Sequence, residues 1–137
     1  SLRYFNVFGE RMNLEGGYCL VMGIFAQQML AGVPMTIRGD GEQRRDFTYV
    51  KDVVRANILA GTSEKVGNGE VINIGNGDNR SVNQIASLFG GEVEFVDAML
   101  EPQNTLADNS KAKELLGWEP TMTVEEWVPK YKKELGL

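Results

Sequence analysis

Short runs rich in Val, Ile and aromatic residues alternate with amphipathic stretches along the whole chain, and few architectures accept that order. Residues 2–8 (Leu-Arg-Tyr-Phe-Asn-Val-Phe) read as a strand running into Gly9. Residues 10–18 read as a loop, with Gly16-Gly17 as its breaker. The spacing of Val21, Ile24, Phe25 and Met29 predicts a helix over 20–31, stopped by Gly32 and Pro34. Short strands follow at 35–38, closed by Gly39-Asp40-Gly41, and at 46–50. A helix over 51–61 is expected to bury Val53, Val54 and Ile58, with Val50 beside them. Residues 71–74 and 92–96 read as strands, and Ser81 with Gln84 has the capping-box spacing of a helix reaching Phe89. Asp108 is placed to cap a helix ending at Gly117. Thr123 and Glu126 form a second capping box, before an apolar face of Val124, Trp127, Val128, Tyr131 and Leu135. Pro129 conflicts with that helix. Inside one it costs about 3 kcal/mol, so the helix either kinks there or begins near it.

Strands alternating with helices give an α/β or α+β arrangement. The strands are too few and too short for a complete doubly wound sheet, and one of them opens at residue 2 with no element before it. The chain therefore reads as one unit, 1–137, taken from something longer; a small protein with a processed N-terminus is the plainer alternative.

Composition closes off several function classes. No stretch approaches the ~20 apolar residues of a membrane span. Fourteen Lys and Arg against nineteen Asp and Glu give a net charge of −5, and the scattered cations offer nucleic acid no basic face. Cys19 is the single cysteine, which excludes an internal disulfide and favours a reducing, cytoplasmic setting. There is no histidine, so no imidazole base or ligand comes from this chain. Neither a metal-ligand spacing nor a set of catalytic residues is present.

Two turns, Gly39-Asp-Gly41 and Gly75-Asn-Gly77, tempt a dinucleotide reading. Both lack the third Gly that lets a helix pack closely on its strand, so neither is taken as a cofactor loop. Arg44-Arg45 says more: two guanidinium groups enter an apolar strand in an acidic chain. A guanidinium fork matches phosphate oxygens, and strand alternation turns the two side chains to opposite faces. A surface ion pair from Arg45 to Asp46 or Glu42 is the plainer reading. Asn6 lies near the carboxyl end of a strand, where ligands collect in open α/β sheets, although an Asn before Gly9 also suits a turn.

Five stretches together carry a resemblance: Leu2–Gly9, Met35–Gly41, Arg45–Val54, Val71–Gly77 and Leu106–Trp118. In this order and at this spacing the chain resembles the C-terminal part of the extended short-chain dehydrogenase/reductase family, NAD-dependent nucleotide-sugar epimerases and dehydratases of the UDP-glucose 4-epimerase kind. The resemblance implies the last strands of a Rossmann sheet plus a small α/β domain that grips a nucleotide-diphosphate sugar, with the NAD-binding half and the catalytic residues outside this chain. It implies Phe5 at the nicotinamide end of NAD, and Asn6 and Arg45 on the diphosphate. It places Cys19 and Leu20 in a loop over the substrate, Thr36, Ile37 and Arg38 on the strand whose backbone pairs with the pyrimidine edge, and Glu101 at an acidic substrate position. Where the family usually has a second diphosphate Arg this chain has Ala98 or Met99, and Thr105 stands where some epimerases have Tyr; either binding is weaker, or Arg38 or Arg44 compensates, or the substrate differs from a UDP-hexose. NAD is expected in a longer parent, itself a homodimer, and not in this chain alone, which is expected to turn over no substrate and to self-associate through an uncovered apolar face. A dehydratase, decarboxylase or reductase of the same family, or a non-catalytic nucleotide-sugar-binding module, fits the same residues.

Overall fold

Local signals set most of the elements. The computed structural model describes residues 1–14 and 19–137. The expected breaker Gly16-Gly17 lies outside them. Strands β1 (Leu2–Tyr4) and β2 (Val7–Phe8) are followed by α1 (Val21–Leu30), β3 (Met35–Arg38), β4 (Arg44–Asp46), β5 (Thr48–Tyr49) and α2 (Val50–Thr62). Then come β6 (Ile72–Ile74), β7 (Asn79–Ser81), α3 (Val82–Phe89), β8 (Val93–Val96), α4 (Ser110–Leu116) and α5 (Val124–Leu135).

Both capping boxes form: Gln84 N–H donates to Ser81 Oγ and Glu126 N–H to Thr123 Oγ1, and each partner side chain accepts from the cap's own N–H. The first cap starts α3 at Val82, which ends at Gly90 with φ 67°. The second starts α5 at Val124, five residues before Pro129, so the helix does not begin at the proline. Asp108 accepts from Ser110 N–H at 3.0 Å, while Asn109 holds the cap position of α4, one residue later than expected.

The strands pair in twos. β1 runs parallel to β6, β2 to β5 and β3 to β8, while β4 lies antiparallel to β7 with Arg45 opposite Arg80. Two expected strands are broken. Asn6, at φ 28°, turns the chain between β1 and β2. Phe47 separates β4 from β5, because the chain changes partner there from β7 to β2. β7 is an element that the sequence reading lacked; Asn-Arg-Ser carries no strand pattern.

Two apolar clusters hold the elements. The larger joins Phe8, Phe25, Met35, Ile37, Phe89 and Trp127 with their neighbours, so α1, α3 and α5 pack around β2, β3 and β5. The smaller joins Val53, Ala56, Ile72, Ile74, Leu116 and Trp118, closing α2 and α4 over β6. Two expected core positions are corrected. Val54 is 53% exposed and Ile58 62%, because α2 turns Asp52, Val53 and Ala56 inward instead. Asp52 fixes that rotation: its carbonyl accepts from Trp118 Nε1 at 2.8 Å and its carboxylate from Thr121 N–H and hydroxyl, both at 2.7 Å. Ile24 likewise faces outward on α1, where Met22, Phe25 and Ala26 are buried. Among the described residues no helix is long and apolar enough to cross a membrane.

Candidate functional site

Five of the residues singled out in the sequence meet around one cleft. It holds about 220 Å³ and is lined by Asn6, Cys19, Leu20, Arg45 and Glu101, together with Gln43 and the apolar Val21, Phe47 and Val82. The elements explain the convergence. β4 alternates, so Arg45 points into the cleft while Arg44 points away, its Nε donating to Asn79 Oδ1 at 2.8 Å and its Nη2 to the Asn79 carbonyl at 2.9 Å. That removes Arg44 as a substitute for the missing second cation. Segment 103–105 runs along the other edge of β4, with Arg44 N–H donating to Gln103 O and Thr105 N–H to Arg44 O. Glu101 reaches Arg45 from there.

Arg45 is 15% exposed and pairs through Nη2 with Glu101 Oε2, while its Nη1 donates to the Arg44 carbonyl at 2.8 Å. The plainer partners are taken. Asp46 is bonded to three backbone N–H groups, and Glu42 accepts from Asn83 Nδ2 at 2.6 Å. Gln43 is a site residue that the sequence did not reveal; one Gln in a charged turn reads as solvated. It is 6% exposed, and its Nε2 donates to Arg38 O at 3.1 Å and to Glu101 Oε1 at 3.3 Å.

Asn6 holds its left-handed backbone through two bonds, Nδ2 to Asp46 O at 2.8 Å and Thr48 N–H to Asn6 O at 3.2 Å. Backbone conformations of this kind cluster at functional sites. Cys19 is half-buried and burial pushes its thiol pKa up, so it is a neutral wall of the cleft.

The other expected positions stand apart from the cleft. Thr36 is engaged inside the fold: its N–H donates to Gln28 Oε1 at 3.0 Å and its hydroxyl accepts from Gln28 Nε2 at 2.8 Å. Ile37 is buried in the larger core, and Arg38 lies exposed at the end of β3, reaching the cleft only through Gln43. Phe5 sits half-buried beyond β1, its N–H donating to Ile74 O at 3.1 Å. Ala98 packs on Gly39, and Met99 is exposed, so no cation takes the place of the second Arg there.

Both glycine turns serve the fold. Gly41 has φ 75°, and a side chain there would strike Asn83 and stand 2.8 Å from Ile37 Cγ2. The Gly75-Asn-Gly77 turn gives its N–H groups to Asp46, so a carboxylate of the protein fills the place a phosphate would take. Among the described residues no cluster of three or more His, Cys, Asp or Glu side chains is placed to hold a metal ion.

Residues 1–75 match the NAD dependent epimerase/dehydratase family. Over 97% of its length the chain is 39% identical to UDP-glucuronic acid decarboxylase 1 of Xenopus tropicalis, covering 33% of that protein. It is 34% identical over 91% of its length to UDP-glucose 4-epimerase of Mycolicibacterium smegmatis, covering 41% of it. Among solved structures, UDP-glucuronic acid 4-epimerase from Bacillus cereus, in complex with UDP-glucuronic acid and NAD, superposes with a TM-score of 0.86 at 36% identity, over 98% of this chain and 45% of that one. UDP-glucose 4-epimerase from Thermotoga maritima, with UDP-glucose, gives 0.84 at 40% identity, over 98% of this chain and 46% of that one. The chain thus spans between a third and just under half the length of these relatives, and the shared part is their C-terminal portion.

Proposed function

The chain belongs to the NAD-dependent epimerase/dehydratase family, and from that premise we propose that its cleft grips the diphosphate of a nucleotide sugar for a UDP-glucose 4-epimerase-like enzyme. The observation that carries this reading is the convergence of Asn6, Arg45 and Glu101 on one cleft. Arg45 is the clamp. Its guanidinium presents two parallel donors to phosphate oxygens, and on binding it exchanges the Glu101 carboxylate for the ligand. Asn6 and Gln43 add amide groups beside it. Leu20, Val21, Phe47 and Val82 keep the cleft partly dry, which strengthens each polar contact.

In the parent, NAD supplies the hydride chemistry when bound. The share of these residues is remote binding energy: the held diphosphate orients the sugar for reaction elsewhere in the protein. The chain alone is expected to be inactive, since the resemblance places the catalytic residues of such an enzyme in the half that this chain does not cover. A decarboxylase parent is the second reading, favoured by the 39% identity to the Xenopus protein, and it needs the same grip. Location in the cytoplasm agrees with one half-buried free thiol. Val54 and Ile58, exposed one turn apart on α2, support self-association of the isolated chain.

The test is the affinity of UDP-glucose for the chain, measured by calorimetry. Arg45→Ala removes a charge-assisted contact of about 1.5–3 kcal/mol, so affinity is expected to fall by roughly 10- to 150-fold. Equal affinity in both proteins would take Arg45 out of the site.

A further inference from the structure

Asp46 is the most constrained polar residue beside the cleft, yet it does not line it. Its side chain is fully buried, at 0% exposure. Oδ1 accepts from Asn76 N–H at 2.7 Å, and Oδ2 accepts from Gly77 and Ala107 N–H, each at 3.0 Å. Its main chain is committed as well. The carbonyl accepts from Asn6 Nδ2 at 2.8 Å, and the N–H donates to Thr105 Oγ1 at 3.4 Å. One residue thus joins the corner that carries Asn6, the strand that carries Arg45, the β6–β7 turn and the segment leading back to Glu101.

The packing leaves no slack around it. A Cβ on Gly75 would stand 3.0 Å from Asp46 Oδ2 and run into the Ala107 side chain, so only glycine lets this turn close on the carboxylate. Burial pushes the Asp46 carboxyl pKa up against the pull of the three N–H donors. With Arg44 tied to Asn79 on the same side of β4, both neighbours of Arg45 are fixed behind the strand.

We propose that Asp46 is the positioning residue of the diphosphate clamp: it touches no ligand and fixes the backbone from which Arg45 and Asn6 reach one. This rests on the nucleotide-sugar reading of the cleft. An amide at this place offers a single acceptor oxygen and sets its own N–H groups against backbone donors, so Asp46→Asn loosens the turn and the 105–107 segment together.

UDP-glucose is titrated into the unaltered chain, Asp46→Asn, Arg45→Ala and the double variant. The expected result is at least a tenfold loss of affinity for Asp46→Asn and a double variant far less impaired than the product of the two single losses, because one residue acts through the other. Unchanged affinity in Asp46→Asn overturns the proposal, and so do losses that simply multiply. Unchanged affinity in Arg45→Ala instead overturns the reading of the cleft itself. If Asp46→Asn does not fold, hydrogen exchange in the unaltered chain decides. Saturating UDP-glucose is expected to slow exchange at the Asn76, Gly77 and Ala107 amides, since coupling between sites is reciprocal. Exchange at those amides that ignores the ligand contradicts the role.

Discussion

Arg45 gets its direction from what lies on either side of it. Arg44 and Asp46 are bonded behind β4, and alternation leaves the guanidinium between them to face the cleft. A second polar cluster sits at the opposite end of that chain segment. Glu10 Oε1 accepts from Tyr49 Oη at 2.7 Å and from Lys51 Nζ at 2.9 Å. The bond from Lys51, then the one from Tyr49, pulls the Glu10 carboxyl pKa from 4.5 to about 2. Lys51 is 69% exposed and Glu10 41%, so solvent screens the pair and its energy is small. Its sign is fixed: the folded pKa lies below the unfolded one, so the contribution is present above 4.5 and fades as pH falls towards 2. The side-chain carboxyl signal of Glu10, followed by NMR, is expected to titrate near 2 and to return towards 4.5 in Lys51→Ala. A midpoint at 4.5 in the unaltered chain would contradict the cluster. Sequence reached Arg45, Asn6 and Glu101 because their residue types and neighbours match a known pattern. The burial of Gln43 and Asp46 stayed hidden, since it depends on partners distant along the chain.

At the scale of elements, caps and glycine stops were the most legible features, because each depends on residues within one turn. Side-chain facing was less so. Val54 and Ile58 have the right spacing for a core, but the bonds from Trp118 and Thr121 to Asp52 rotate α2 the other way. β7 forms only because β4 lies beside it, a long-range cause with no local trace. α5 runs unbroken from Val124 to Leu135 through Pro129, because Val124, Trp127 and Val128 are buried on its inner face. The proline leaves the Glu125 carbonyl without its helical donor and crowds it. Pro129 itself is exposed. Pro129→Ala is therefore expected to raise stability by about 1–2 kcal/mol, the relief of a helix-interior proline less the added freedom of the unfolded chain. Denaturant unfolding measures it; a loss of stability would mean the bend or rigidity at Pro129 is needed by the packing.

For the molecule as a whole, β2 contributes to both apolar clusters, Phe8 to the larger and Val7 to the edge of the smaller, and Phe47 and Val82 of the larger cluster line the cleft. The polar side chains of the cleft, Asn6, Gln43, Arg45 and Glu101, come from three separate segments. Element order made the α/β class legible, and five stretches from Leu2–Gly9 to Leu106–Trp118, in the order of a known family, made the family so. The pairing of strands in four separate couples was not, since each couple joins residues tens of positions apart. The most direct measurement is a structure of this chain with UDP-glucose bound. The diphosphate oxygens are expected within hydrogen-bond distance of the Arg45 guanidinium and of Asn6, with the Arg45–Glu101 pair opened. A nucleotide lodged elsewhere, with that pair intact, would contradict it.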